Sequence, residues 1–218
     1  MSLGGRARIA LMPDQPRSLF VGVTGASGSP YALRLVEMVA ATGCRIHLCL
    51  SDVAVQVVAY ELRLGVEGRE AVTAAFLDAA RAVSQTVVHP PDAFDATCSS
   101  GSSFPDAAVI VPCSISTASE IASGGTRTLI HRVGAVALKE RRPLLIVPRE
   151  MPLSSVSLRR LLELSEAGAL IVPPMPAFYH HPTTLEQLVD FVTGKLLAEL
   201  GFEQHLYEPW AGAASAGG

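Results

Sequence analysis

Phe20-Val21-Gly22-Val23-Thr24-Gly25-Ala26-Ser27-Gly28-Ser29-Pro30 decides the fold of this chain. An apolar run with strand character enters a turn of small residues. Pro30 then supplies the fixed φ and missing N–H that suit the first turn of a helix. Gly25 and Gly28 allow left-handed or close-approach backbone, Ser27 and Ser29 add hydroxyls, and the unpaired amides of a helix start face an anion. The turn is not G-x-G-x-x-G and no Gly-Lys-Ser/Thr follows, so a dinucleotide fingerprint and a nucleoside triphosphate loop both drop out. A mononucleotide or other small phosphate ester remains open, and so does a plain strand-to-helix connection.

Further short apolar runs at 18–23, 45–50, 107–111, 144–147 and 169–172 read as buried parallel strands separated by helices. The first helix is expected over 29–42 with Gly43 as its terminator, the second from Ser51-Asp52, a third over 69–82 and a last one over 184–200. This alternation predicts a three-layer α/β domain, Rossmann-like or flavodoxin-like, with a parallel central sheet. Ligands of such sheets bind beyond the carboxyl ends of the strands where strand order reverses, so the loops at Thr24, Ser51, Pro112, Pro148 and Pro173 should build the site. The expected division is a leader over 1–17, one domain over 18–200 and a tail over 201–218.

Composition narrows the function classes. The 218 residues are 49% hydrophobic, enough for a full core, and only 17% charged, which suggests a surface partly covered by other subunits. Net charge is −3 and no basic cluster exceeds Lys139-Glu140-Arg141-Arg142, so nucleic-acid binding lacks an electrostatic footprint. No apolar run has the length of a membrane helix. Cys44, Cys49, Cys98 and Cys113 form no C-x-x-C pair and lie mostly in strand-like runs; reduced, buried thiols in a cytoplasmic protein are expected, with no metal.

Several constellations cluster at the expected loops. Pro112-Cys113-Ser114-Ile115-Ser116-Thr117 repeats the hydroxyl-rich strand-to-helix turn, which would serve a ligand or simply cap the helix. Val147-Pro148-Arg149-Glu150-Met151-Pro152 puts a guanidinium, the natural bidentate partner of a phosphate, and a carboxylate at a strand end. Pro176-Ala177-Phe178-Tyr179-His180-His181-Pro182 offers Tyr179 to a substrate or a crevice; its adjacent histidines lack metal spacing and read as surface groups. No Gly-x-Ser-x-Gly elbow supports Ser-His-Asp chemistry.

These blocks, together with Leu129-Ile130-His131-Arg132 through Leu144 and Pro148-Arg149-Glu150-Met151-Pro152-Leu153, resemble the flavin prenyltransferase (UbiX-like) family over residues 18–210. The resemblance implies a dodecamer binding flavin mononucleotide (FMN) at subunit junctions. It also implies transfer of a dimethylallyl group from dimethylallyl phosphate to N5 and C6 of reduced FMN, making prenylated FMN for a UbiD-type decarboxylase, without a metal. It assigns Gly25, Ala26, Ser27, Ser51, Ser114, Thr117 and Arg149 to FMN, with Ser27 near N5. Lys139, Arg149, Tyr179 and Lys195 would grip the dimethylallyl phosphate with Arg132 close by; Glu61 and Glu150 would handle protons and Trp210 would shelter the allyl group.

The chain departs from the family at Arg127-Thr128, where an Asn pair is usual, at Arg132-Val133-Gly134-Ala135, which lacks the usual Asp, at Lys195 in place of Arg, and at Ser157-Leu158-Arg159-Arg160. These positions are expected to touch helix packing and subunit contacts more than the cradle. Two other classes compete: an FMN-dependent decarboxylase of cysteine substrates, whose Pro-x-Met-Asn motif and active-site His are missing here, and a non-catalytic flavin carrier.

Overall fold

The computed structural model describes residues 17–65, 68–80, 85–208 and 210. Six parallel strands, β1 (Ser18–Val23), β2 (Arg45–Leu50), β3 (Thr86–His89), β4 (Ala107–Cys113), β5 (Leu144–Pro148) and β6 (Leu170–Ile171), form one sheet in the order β3-β2-β1-β4-β5-β6. The order reverses between β1 and β4, which pair directly, and there the helices leave toward opposite faces. One face carries α1 (Ser29–Ala40), α2 (Asp52–Glu61), α3 (Arg69–Ala80) and α7 (Leu185–Glu199); the other carries α4 (Ile115–Ala122), α5 (Leu129–Glu140) and α6 (Ser155–Glu166).

The strands read as unbroken apolar runs because both faces are covered. β4 is buried at all seven positions and β5 at all five, so side chains of either parity leave water. Each such Val, Leu or Ile contributes on the order of 1.5–3 kcal/mol of transfer free energy. Gly22 in β1 lies between Ile130 and Phe20; an added methyl would meet both at 3.2 Å, so its lack of a side chain lets α5 sit close on the sheet.

The sequence reading counts five strands, and the structure adds β3. Four residues on the sheet edge, none fully buried, give no long apolar run to detect. The expected leader falls outside the described residues except for Arg17, whose carbonyl accepts the Arg45 amide. Beyond α7 the chain folds back, with Phe202 buried and the Tyr207 ring 4.7 Å from Phe191. Among the described residues no helix is long and apolar enough to cross a membrane.

Candidate functional site

Thr24 ties the two strand ends at the switch point together. Its amide and hydroxyl both donate to the Pro112 carbonyl, at 3.2 and 2.8 Å, and its hydroxyl accepts the Ser114 amide at 2.7 Å. The β4–β5 register shifts between Ile110 and Cys113, where Pro112 has no N–H to give a ladder. The two hydroxyl-rich turns therefore face one crevice, as the alternation of strands and helices predicts.

The opening turn is not a free anion cradle. Gly28, at φ 122°, enters α1 with no side-chain cap of its own, and the Glu61 carboxylate at the end of α2 fills that place. It accepts the amides of Gly28 at 3.1 Å and Ser29 at 2.8 Å, and the hydroxyls of Ser29 and Ser27. Burial disfavours its charged form, but those hydrogen bonds outweigh burial and hold its pKa below the ordinary value. Ser51 caps α2, accepting the Ala54 amide at 3.1 Å, and so fixes where Glu61 emerges ten residues later.

Arg149 secures the other side of the Ser27 turn. Its amide donates to the Cys113 carbonyl at 3.1 Å and its Nε to the Ser27 carbonyl at 3.2 Å. Glu150 turns away from Arg149 and takes the Met151 amide at 3.1 Å, so the two residues act separately.

A cavity of about 310 Å³ opens beyond the ends of β1, β2 and β4. Gly25, Ser51, Ser114 and Thr117 line it, and Ala26 is buried beside Gly25. The Ser114 hydroxyl caps α4 by accepting the Thr117 amide at 3.2 Å and lies 3.0 Å from the Ser116 hydroxyl. A methyl on Gly25 would run into the Val53 side chain, so this approach requires glycine. His131 also lines the cavity, and its Nδ1 is buried with no hydrogen-bond partner among the described residues.

The remaining predicted residues do not gather at this cavity within one chain. Arg132 and Lys139, seven residues apart on α5 and thus on one helix face, are exposed; Arg132 Nε donates to the Ser99 carbonyl at 3.2 Å and Lys139 pairs with Glu140 at 2.9 Å. Lys195 belongs to α7 on the opposite face of the sheet and pairs with Glu199 at 3.7 Å. Tyr179 meets Trp210 edge-on at 5.4 Å and Phe191 at 5.9 Å.

Two expectations are corrected. His180 is not a surface group: its ring stacks on Phe191 at 5.0 Å and both ring nitrogens are buried, because the turn after Pro176 packs onto α7; His181 alone is exposed. Arg127 and Thr128 are not remote from the cradle: both line the cavity, where Thr128 caps α5 and Arg127 pairs with Glu120 at 3.1 Å. The cavity residues that sequence reasoning gave no role are Val53 at the start of α2, Glu120 in the last turn of α4 and His131 in the first turn of α5. Ser116 stood in a recognised turn; His131 stood in a block that carries the resemblance but was given no role, since only folding brings α5 under β1.

Comparison with known proteins gives one answer along the chain. Residues 9–197 match the Flavoprotein family. The chain is 41% identical over 197 residues to the flavin prenyltransferase UbiX of Pseudomonas aeruginosa, an alignment covering 89% of this chain and 94% of that one. Among solved structures it is similar to AnUbiX (PadA1) in complex with FMN and dimethylallyl pyrophosphate, with TM-score 0.80, 34% identity and coverage of 91% and 99%. It is also similar to a dodecameric FMN-dependent UbiX-like decarboxylase of Escherichia coli O157:H7, with TM-score 0.79, 36% identity and coverage of 89% and 100%.

Proposed function

The chain belongs to the flavin prenyltransferase family, and from that premise we propose that the crevice between β1 and β4 holds FMN, with its reacting face toward Ser27. The observation that carries this reading is the cavity itself: Gly25, Ser51, Ser114 and Thr117 share one wall system, and the orphaned His131 Nδ1 offers a polar atom to a ligand. Its volume sits at the low end for small-molecule sites, about 300–1,000 Å³, so part of the ligand extends beyond the single chain.

When bound, reduced FMN supplies an electron-rich ring as the acceptor of the dimethylallyl group. Ser114 and Thr117 at the start of α4 would hold its polar end, and Arg149, already fixed to the Ser27 carbonyl, would keep the opening turn against it. Lys139, Arg149, Tyr179 and Lys195, with Arg132 near, would take the phosphate of dimethylallyl phosphate. Departure of that phosphate builds negative charge that fixed cations stabilise. Glu61 would hold the Ser27 hydroxyl as a proton relay, while the exposed Glu150 would receive protons; Trp210 would cover the allyl group with its π face.

Because Lys139 and Lys195 stand on opposite faces of the sheet, this grip needs residues from neighbouring copies. A homo-oligomer, the dodecamer by likeness to the Escherichia coli protein, meets that need. Exposed Met151, Val156, Leu158 and Leu162 supply apolar surface for such contacts. Four buried free thiols suit a cytoplasmic setting, and a UbiD-type decarboxylase is the recipient of the product.

Anaerobic incubation of the purified chain with FMN, a reductant and either dimethylallyl phosphate or the diphosphate tests the reading by mass spectrometry of the released flavin. A gain of one five-carbon unit is expected. Bound but unmodified flavin with both donors would refute it.

A further inference from the structure

Away from the flavin cavity, three side chains with no sequence spacing in common converge. His47 sits on β2, His89 ends β3 and Cys98 lies in a short 3₁₀ turn, Thr97–Ser99, in the loop that follows. One ring nitrogen of each histidine and the Cys98 Sγ all lie within 4.8 Å of one another. His47 Nδ1 and His89 Nε2 are 3.0 Å apart, and their rings stack at 5.2 Å with an interplanar angle of 11°. In a tetrahedral zinc site with Zn–N near 2.0–2.1 Å, neighbouring nitrogens stand about 3.3 Å apart. The histidine pair already has nearly that separation.

The donor set and its surroundings favour a cation over a plain histidine pair. Two imidazoles and a thiolate are the mixed nitrogen and sulfur ligands taken by zinc-like cations, whereas magnesium and calcium need oxygens. Cys98 is fully buried and His47 nearly so, which restricts water at the cluster. Cys49, the register partner of His89, lies alongside as a second buried thiol.

We propose that His47, His89 and Cys98 bind one divalent cation of the zinc type, which fastens edge strand β3 and the loop after it to β2. Among the described residues β3 pairs with β2 alone over four residues, so a clip to β2 and to the loop after β3 adds to a short edge contact. Binding displaces the Cys98 thiol proton to solvent and needs no oxidant or reductant.

The test uses the untagged full chain, stripped with a chelator and titrated with Co2+ and then Zn2+. A thiolate-to-cobalt charge-transfer band saturating at one equivalent per chain, and displaced by Zn2+, is expected. Cys98→Ser should abolish the band and His89→Gln should abolish stoichiometric retention, while Cys113→Ser, in β4, leaves both intact. Zn2+ should raise the Tm of the wild type and not of Cys98→Ser. Absence of the band in the wild type overturns the proposal whatever the variants do, and so does a band that survives Cys98→Ser.

Discussion

The carboxylate of Glu61 caps the first turn of α1 by accepting the Ser29 amide at 2.8 Å and the Ser29 hydroxyl as well. A carboxylate at a helix start also meets the positive end of the helix dipole. The anion site suggested by the opening turn therefore exists, and the protein's own side chain occupies it. What is left for a ligand is the second turn, at the start of α4.

This arrangement has a pH signature. The folded pKa of Glu61 lies below its unfolded value, so the stability it contributes is present above the ordinary carboxylate pKa and is lost as pH falls through the lower folded value. Glu61→Gln should lower Tm near neutral pH, by the equivalent of about 0.5–2 kcal/mol for a lost cap. The gap from wild type should close as the solution is acidified below the carboxylate range. Thermal unfolding of both proteins across pH checks this; parallel curves would show that the charge of Glu61 is not what holds the turn.

Thr24 should be as consequential for stability without touching a ligand. Thr24→Val keeps the shape, and the Pro112 carbonyl keeps the Thr24 amide, but the Ser114 amide loses the acceptor it now has at 2.7 Å. Orphaning such a donor costs about 1–3 kcal/mol, or a Tm loss of about 2–12 °C in a chain this size. A thermal scan with unchanged Tm would mean that water replaces the hydroxyl and that the crevice does not depend on this tie.

How far these features are legible in the sequence follows from what kind of contact makes them. Buried strands β1, β2, β4 and β5 announce themselves as apolar runs, and the turns after β1 and β4 by their Gly, Ser and Pro. Edge strand β3 does not, because half-burial on one side erases the run. The cavity wall was read where it is local, at Gly25, Ser51, Ser114 and Thr117, and missed where it is long-range, at His131. Glu61 was identified by resemblance, but its seat on α1 depends on a contact across 32 residues that no local pattern encodes.

Arg149 should separate affinity from stability. Its backbone amide is fixed to Cys113 and, among the described residues, its exposed guanidinium makes one bond, to the Ser27 carbonyl, so Arg149→Ala should change stability by no more than the roughly 0.5 kcal/mol typical of surface positions. FMN binding should weaken by about 10- to 150-fold, the equivalent of one charged hydrogen bond. Arg149→Lys should fall between, keeping charge without the fork. Flavin fluorescence titration measures this, and equal affinity in all three proteins would remove Arg149 from the flavin site.

Shared sites make a sharper prediction. Lys139 stands exposed on α5, while Glu61 lies at the end of α2 on the other face of the sheet, so the proposed site takes them from different chains. Lys139→Ala should leave Tm and FMN affinity unchanged and abolish prenylation, and Glu61→Gln should abolish it too. When the two variants are co-expressed and assemble at random, about a quarter of the sites inherit both native residues, because each partner at a heterologous junction is native with a chance of one half. Prenylated FMN, measured by mass against the wild type, should therefore return to about that fraction in the mixed oligomer. If both residues served the site of their own chain, every site would carry one lesion and the mixture would stay inactive.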